Sequence, residues 1–265
     1  MDAQPDSMSG EICQQDGEDT TFYSKAAHYW EQVPPTVDGM LGGFGVISHI
    51  DIAGSEKFLK LLYKWPDPPG KGTALDCGAG IGRITKHLLQ NHFETVDLVE
   101  QNPHFLDEAK KSLGSCPRIG SYYPIGLQSF EPQFEKYDVI WCQWVLGHLT
   151  DEDFVKFFKS CKKGLRPNGV IVVKENVSGG ELEKDEQDSS VTRPMQAFKS
   201  LLHQAGLKIV LNHRQRKFPR CLYEVRMLAL RPAVSNLSNG SVPCAEEKME
   251  PDQSEESHKK HLPED

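Results

Sequence analysis

A ten-residue stretch, Ala74-Leu-Asp-Cys-Gly-Ala-Gly-Ile-Gly-Arg83, limits the choice of fold more than any other part of the sequence. Its apolar start is typical of a buried strand, which we expect to end at Asp76, turn on Gly78 and lead into a helix near Ile81. Backbone N–H groups and a helix N-terminus would then face a ligand, in space that a side chain at Gly78 or Gly80 would fill. The stretch therefore predicts a loop that binds a nucleoside cofactor.

The spacing of the glycines narrows the choice of cofactor. Gly-x-Gly-x-Gly with a preceding acid differs from the Gly-x-Gly-x-x-Gly of dinucleotide-binding loops, and so it points away from NAD. Downstream, residues 95–100 predict a second strand that ends at Glu100, where a doubly wound sheet places the acid that binds a ribose diol. Such glycines also occur in tight turns that bind nothing, and Glu100 is what favours the cofactor site.

Length and charge indicate one folded α/β domain with polar ends. Of the 265 residues, the first 20 carry six acids and no base, and residues 233–265 carry eight acids and three Lys. The net charge of the chain is −8, so residues 21–232 are left with +3. Acidic, polar ends bury too little apolar surface to fold alone. We expect a disordered segment at 1–20, a folded domain at 21–232 and a disordered tail at 233–265.

The cysteine pattern and the lack of long apolar runs bear on the compartment. Seven cysteines without a Cys-x-x-Cys pair indicate free thiols, with no disulfide framework and no metal site. The sequence has no apolar signal segment, and no apolar run reaches the roughly 18 residues that a membrane span requires. We therefore expect a nuclear or cytoplasmic protein that does not enter a membrane.

The rest of the pattern alternates between strands and helices. Because the last two strands follow each other without a helix, we expect a mostly parallel, seven-stranded sheet whose last strand is antiparallel, with an N-terminal helical cap. Residues 36–45, which contain four glycines, suit either a loop that closes over a ligand or a surface connector. Helices are predicted at about 21–32, 54–63, 103–113, 151–164 and 194–205, and the later strands at about 120–125, 137–142, 169–174, 207–211 and 223–230.

Residues that follow the fourth and fifth strands indicate what kind of substrate binds beside the cofactor. After the fourth strand, Gln143, Trp144 and His148 offer an amide, an indole and an imidazole, which suit a cation that must lose a proton before it reacts. Beyond the fifth strand, residues 181–190 hold five acids and one Lys, which favours a basic substrate for a domain of positive charge. A solvated acidic loop is the alternative.

Together, these features resemble the class I S-adenosylmethionine (SAM) methyltransferases, an α/β Rossmann-like superfamily. Over residues 22–231 the chain resembles more specifically the eukaryotic protein α-N-terminal (Xaa-Pro-Lys) methyltransferases of type 1. The matching strings are Tyr23-Ser-Lys-Ala, Tyr29-Trp30, Pro34-Pro-Thr-Val-Asp-Gly-Met-Leu-Gly-Gly43, Ala74 to Lys86, Tyr137-Asp-Val-Ile-Trp141, Gln143-Trp-Val145, Gly147-His-Leu-Thr-Asp151 and Asp188-Ser-Ser-Val191.

The resemblance implies a role for each matched position. The cofactor would meet Trp30, Gly78, Arg83, Glu100, Leu127, Gln128 and Gln143. The substrate would meet Leu41, Ile47, Trp144, Asp185, Ser190, Leu222 and Tyr223, with His148 and Asp188 as candidate bases and Asn176 near the amine. The chain departs from the family pattern at Glu100 and Glu175, where Asp is common, and in the loop 177–183.

The resemblance also implies a reaction and its partners. SAM would methylate the free α-amine of proteins that begin Xaa-Pro-Lys or Xaa-Pro-Arg, among them chromatin-associated and ribosomal proteins, in the nucleus and cytoplasm and without direct contact to nucleic acid. Because a fold does not choose a substrate, two alternatives stay open: a small-molecule or lysine methyltransferase, and a non-catalytic SAM-binding scaffold.

Overall fold

The computed structural model describes residues 11–233, and side-chain environments from residue 21 onward. Seven strands form one sheet in the order β3-β2-β1-β4-β5-β9-β8, and β6 and β7 form a separate hairpin. Strands β1 to β5 are parallel, whereas β9 runs antiparallel to both of its neighbours, as predicted. The strands are β1 (Thr73–Cys77), β2 (Thr95–Val99), β3 (Ile119–Tyr123), β4 (Tyr137–Gln143), β5 (Leu165–Val177), β6 (Glu183–Asp185), β7 (Ser190–Thr192), β8 (Leu207–Arg214) and β9 (Glu224–Pro232).

Helices cover both faces of this sheet. The described α-helices are α1 (Glu11–Gln32), α2 (Val37–Met40), α3 (Ser48–Leu62), α4 (Arg83–His87), α5 (Pro103–Leu113), α6 (Asp151–Gly164) and α7 (Met195–Gln204), joined by short 3₁₀ turns at Gly45–Ile47, Leu89–Asn91, Leu127–Ser129 and Leu146–His148. Helices α5 and α6 match their predicted ranges. Among residues 11–233, no helix has the length and apolarity that crossing a membrane requires.

The hydrophobic core lies on the two faces of the central strands. Every residue of β1 and β4 is buried, as expected for parallel strands that are covered on both sides. Along β4, Ile140 and Cys142 pack against the phenylalanines of α6, and Val139 and Trp141 pack against α3 on the opposite face. Because the chain order reverses between β1 and β4, their carboxyl ends flank the crevice in which such sheets bind ligands.

Two helix starts differ from the sequence-based expectation, and one hairpin was not predicted. Helix α3 begins at Ser48, and Gly54 lies inside it, where a Cβ would stand 2.1 Å from the side-chain oxygen of Gln215. The glycine thus makes room for a packed neighbour and does not mark the start of the helix. Helix α4 begins only at Arg83, since Gly82 has a left-handed backbone. The β6–β7 hairpin was not predicted, because its strands are too short for a period-2 pattern to appear.

The N-terminal boundary needs a correction as well. Helix α1 begins at Glu11, so the segment 11–20, which we expected to be disordered, continues the predicted helix. Extending an existing helix costs far less than nucleating one, and this allows polar residues to join it. The disorder predicted for residues 1–10 and for the tail after Ala233 lies outside the described residues.

Candidate active site

One cleft opens at the carboxyl ends of β1, β2 and β4, and we call it the glycine-loop cleft. Its wall contains Gly78 and Gly80 from the loop after β1, together with side chains from α1, α4 and the ends of β2 and β4. All seven residues predicted to meet the cofactor line it: Trp30, Gly78, Arg83, Glu100, Leu127, Gln128 and Gln143.

The loop itself brings backbone close to this cleft. Gly78 has φ +67°, and a Cβ at this position would lie 2.4 Å from Cγ2 of Val145. Only glycine therefore fits the turn. The N–H of Gly80 donates to Oε2 of Glu100 over 2.9 Å, and the N–H of Asn102 donates to Oε1 over 2.8 Å. Burial raises the pKa of Glu100, although these N–H groups oppose the shift. The carboxylate thus lies at the cleft and ties the glycine loop to the start of α5.

A network of buried charged groups lies under the cleft and is centred on Asp51 of α3. Oδ2 of this fully buried residue accepts a hydrogen bond from Arg83 Nη1 over 2.6 Å. The Gln143 amide donates to both Asp51 oxygens, over 2.9 and 3.0 Å. Lys174 Nζ lies 2.5 Å from Asp51 Oδ1. Two residues of the cleft wall, Arg83 and Gln143, are therefore positioned by the same buried carboxylate.

A second cleft lies between the β6–β7 hairpin, the segment 40–47 and β9, and we call it the hairpin cleft. It shares the walls Trp30, Met40, Trp144 and His148 with the glycine-loop cleft, so the two are continuous. All ten residues predicted to be catalytic or to bind substrate line it: Leu41, Ile47, Trp144, His148, Asn176, Asp185, Asp188, Ser190, Leu222 and Tyr223.

Residues 36–45, after α1, were predicted to be either a loop that closes over a ligand or a surface connector, and their position has features of both. Thr36 caps α2 by accepting a hydrogen bond from the Gly39 N–H, and Asp38 accepts one from the Gly45 N–H over 2.9 Å. Leu41 and Ile47 are buried, whereas the neighbouring Val46 is 79% exposed. The segment therefore packs on the domain and at the same time forms the front wall of the hairpin cleft.

His148 is held by one donor and one acceptor. The indole N–H of Trp30 donates to His148 Nε2 over 3.0 Å, and His148 Nδ1 lies 3.4 Å from the carbonyl oxygen of Ser189. Because a carbonyl only accepts, Nδ1 carries the hydrogen and Nε2 presents its lone pair to Trp30. Burial lowers the pKa of His148, and the Asp188 carboxylate partly opposes this. The ring is therefore neutral near pH 7.

Two polar atoms of the hairpin cleft have no partner among the described residues. They are the indole nitrogen of Trp144 and Oδ1 of Asp188, and both are buried. The Trp144 ring stacks on Phe218 at a centroid distance of 6.3 Å, and its backbone has φ +52°. Buried polar atoms in folded proteins are generally satisfied, so this donor and this acceptor indicate that a polar ligand completes the cleft.

The comparisons with known proteins agree with this arrangement. The model of the AdoMet dependent proline di-methyltransferase family matches residues 18–231. The chain belongs to this family. Two relatives carry the name N-terminal Xaa-Pro-Lys N-methyltransferase: type 1 of Danio rerio is 55% identical over 80% of this chain and 96% of its own, and type 1-A of Xenopus laevis is 50% identical over 84% of this chain and all of its own. A solved SAM-dependent methyltransferase from Leishmania major has a TM-score of 0.76 and 42% identity, over 79% of this chain and 83% of its own.

Membership confirms three expectations. The chain is an enzyme, it has the class I methyltransferase fold, and SAM is its methyl donor. The structure agrees with SAM as the donor, since a glycine-rich loop and a carboxylate that follows β2 meet in one cleft. The roles of the individual residues around the two clefts stay predictions.

Sequence reasoning missed two buried side chains that hold the walls of the clefts together. Glu175 of β5 accepts hydrogen bonds from the N–H groups of Val145 and Leu146, each over 2.8 Å. Arg193, which is buried, donates to the carbonyl oxygens of Leu146 and Leu149 over 2.9 and 2.6 Å. Both side chains therefore fix the turn that carries His148. A signal was present, because Glu175 directly follows the predicted strand 169–174 and charged residues are seldom buried without a partner.

Proposed function

We propose that this methyltransferase transfers methyl groups from SAM to the free α-amino group of proteins that begin Xaa-Pro-Lys or Xaa-Pro-Arg after loss of the initiator Met. One observation carries the proposal: Trp144, His148 and the unpaired oxygen of Asp188 line a single cleft that is continuous with the glycine-loop cleft. The names of the relatives from Danio rerio and Xenopus laevis support the same substrate class.

In this proposal the glycine-loop cleft holds the cofactor. Arg83 pairs with the methionine carboxylate, Glu100 binds the ribose diol, and the backbone at Gly78 lies against the amino-acid part. Leu127 and Gln128 lie where the adenine is held, and Trp30 and Gln143 close the remaining wall. When bound, SAM supplies an electrophilic methyl group.

The hairpin cleft then removes the proton that would block the amine. An α-ammonium has a pKa of roughly 8, compared with roughly 10.4 for lysine, so a modest base is sufficient. Asp188 offers an unpaired oxygen to the ammonium, whereas His148 must first release the Trp30 N–H from its Nε2. The freed nitrogen lone pair would then be available to the methyl group that SAM supplies, with the sulfur as leaving group, and the proton would stay on His148 or Asp188.

Selectivity for the second and third residues follows from the rest of the cleft. A proline ring stacks on Trp144 and loses little entropy, because it is already rigid. The acids of the hairpin attract the basic third residue. The remaining contacts that we assign to substrate are Leu41, Ile47, Asn176, Asp185, Ser190, Leu222 and Tyr223.

The physiological partners belong to the same proposal. Chromatin-associated and ribosomal proteins with basic Xaa-Pro-Lys termini would be the substrates, and the nucleus and cytoplasm the sites of action. Mass spectrometry of α-N-methylated termini in cells with and without the enzyme tests the first point, and imaging of a fluorescent fusion tests the second. Unchanged methylation of every such terminus would remove these proteins from the substrate class.

The reaction itself is tested with two peptides and radiolabelled SAM. A peptide that begins Ser-Pro-Lys should be labelled, and the same peptide with an acetylated α-amine should not. Label on both peptides would indicate a lysine methyltransferase. Binding of SAM without label on either would indicate a small-molecule methyltransferase or a non-catalytic scaffold. Each of these results would overturn the proposal.

A further inference from the structure

Lys174 of β5 is a fully buried cation to which neither the family resemblance nor the proposed function gives a role. Its Nζ lies 2.5 Å from Asp51 Oδ1, 3.0 Å from the Asp51 carbonyl oxygen, 3.0 Å from Ser55 Oγ and 2.8 Å from Gln215 Oε1. Its side chain has no exposure to solvent, so it contacts neither cofactor nor substrate. Its position beneath the glycine-loop cleft therefore needs another explanation.

The partners of Lys174 establish its charge. The amide orientation of Gln215 is fixed, because its Nε2 donates to the carbonyl oxygen of Arg216 over 2.9 Å. Three atoms around Nζ can then only accept hydrogen bonds: Gln215 Oε1, Asp51 Oδ1 and the main-chain carbonyl oxygen of Asp51. Three acceptors require three N–H groups, and a neutral amine has two. Although burial lowers the pKa of Lys174, the Asp51 carboxylate opposes this, and the group is an ammonium.

Lys174 changes the charge that Arg83 presents to the cleft. Arg83 and Asp51 alone form a buried ion pair at 2.6 Å, with no net charge to offer a ligand. Adding the Lys174 ammonium leaves the three groups with a net charge of +1. A charge in such a poorly hydrated place needs a counter-ion. One further buried carboxyl, Asp76, interacts with Arg83, but its Oδ2 is bound by the N–H and the hydroxyl of Thr85. The open side of the group is the cleft wall at Arg83.

We propose that Lys174 is a positioning residue for the cofactor: it neutralises Asp51 from below, so that Arg83 keeps a net positive charge for the carboxylate of the methionine part. Asp51 at the same time fixes the guanidinium and the Gln143 amide in the cleft wall. The inference rests on the proposed contact between Arg83 and that carboxylate.

Calorimetric titration with two ligands tests this role without any turnover. S-adenosylhomocysteine has the carboxylate, and its decarboxylated analogue, S-adenosyl-3-thiopropylamine, lacks only that group. Lys174→Met should weaken binding of S-adenosylhomocysteine about tenfold and change binding of the decarboxylated analogue less than about twofold. Equal loss for both ligands would mean that Lys174 merely supports the fold, and unchanged binding of both would also overturn the proposal.

Three further variants separate the possible failures. Gln215→Leu removes one acceptor of Lys174 and keeps every charge, so it should shift the same preference more weakly and serves if Lys174→Met does not fold. Lys136→Met is the matched control. Lys136 precedes β4, at the end away from the clefts, and its Nζ lies 2.6 Å from a carboxylate oxygen of Asp97. The variant should leave the preference between the two ligands unchanged. Arg83→Gln tests the underlying contact between Arg83 and the carboxylate of the ligand. If this variant still prefers S-adenosylhomocysteine as strongly as the wild type does, Arg83 does not bind the carboxylate and the proposal for Lys174 is wrong. The proposed methylation of Ser-Pro-Lys peptides would still stand.

Discussion

The imidazole of His148 is kept neutral by its surroundings, and this decides what it can do in catalysis. Burial lowers its pKa, and the N–H of Trp30 needs the lone pair on Nε2, which an imidazolium lacks. The ring therefore stays able to accept a proton below its ordinary pKa of about 6.5. An α-amine with a pKa of roughly 8 is mostly protonated at physiological pH and must lose that proton before it reacts. A neutral imidazole can accept it.

Replacing the candidate bases should separate chemistry from binding. We expect His148→Ala or Asp188→Asn to lower kcat by about 10²- to 10⁴-fold, the contribution typical of a general base. SAM affinity should stay near that of the wild type, because neither side chain holds the charged groups of the cofactor. Steady-state kinetics and calorimetry measure the two effects. His203→Ala, at an exposed histidine of α7, is the control, and an equal loss of SAM affinity in His148→Ala would show a structural role.

Glu175 should make stability fall with rising pH. Burial raises its pKa from 4.5 to about 7, so between these values the folded state holds a proton that the unfolded state has released. Ionisation therefore disfavours the folded state, by about 3 kcal/mol once the pH exceeds 7. Glu175→Gln keeps an acceptor for the two N–H groups and cannot ionise. Its melting temperature relative to wild type should be higher at pH 8 than at pH 5, and a constant difference would contradict the pKa shift.

The strand-to-helix turn at Gly78 offers a test at the level of a structural element. Gly78 and Gly114 both have positive φ, +67° and +56°, but only at Gly78 would a Cβ meet a neighbour. Gly78→Ala should reduce SAM affinity at least about tenfold, because either Val145 or the loop must move. Gly114→Ala, which ends α5 in open space, carries the backbone strain without the clash and should bind SAM nearly as wild type. Equal affinities in thermal-shift titrations would contradict the close approach.

The hairpin β6–β7 shows how a short element can complete a site. Its residues Asp185 and Ser190 pair in register, and Arg193, just after the hairpin, donates to the carbonyl groups of Leu146 and Leu149 on either side of His148. One buried guanidinium thus joins the acidic hairpin to the turn that carries the imidazole. The acids and the candidate base are therefore held in one arrangement although 40 residues separate His148 from Asp188.

At the scale of the whole domain, the features that could be predicted from the sequence are those with a local pattern or a match to a known family. The structure confirms the turn at the glycine loop and the helices α5 and α6, and both predicted sets of site residues line clefts, although their roles stay predictions. The resemblance, and not periodicity, supplied positions such as Leu41 and Tyr223. What escaped prediction depends on long-range pairing: the Asp51–Lys174 contact joins residues 123 apart, and no local pattern indicates that they meet.

The charge of the whole chain leads to a prediction about salt. Residues 234–265 carry −5 of the net −8, so a chain that ends at Ala233 has −3 and attracts a basic peptide less. The family match ends at residue 231 and β9 at Pro232, so this truncation should leave kcat within about twofold of the full chain. The KM for a Ser-Pro-Lys peptide should rise about threefold at low salt and converge with that of the full chain near 0.5 M, where screening shortens electrostatic reach to a few ångströms. Steady-state kinetics over a salt series measures both, and a loss of kcat at every salt concentration would mean that residues beyond 233 act at the site itself.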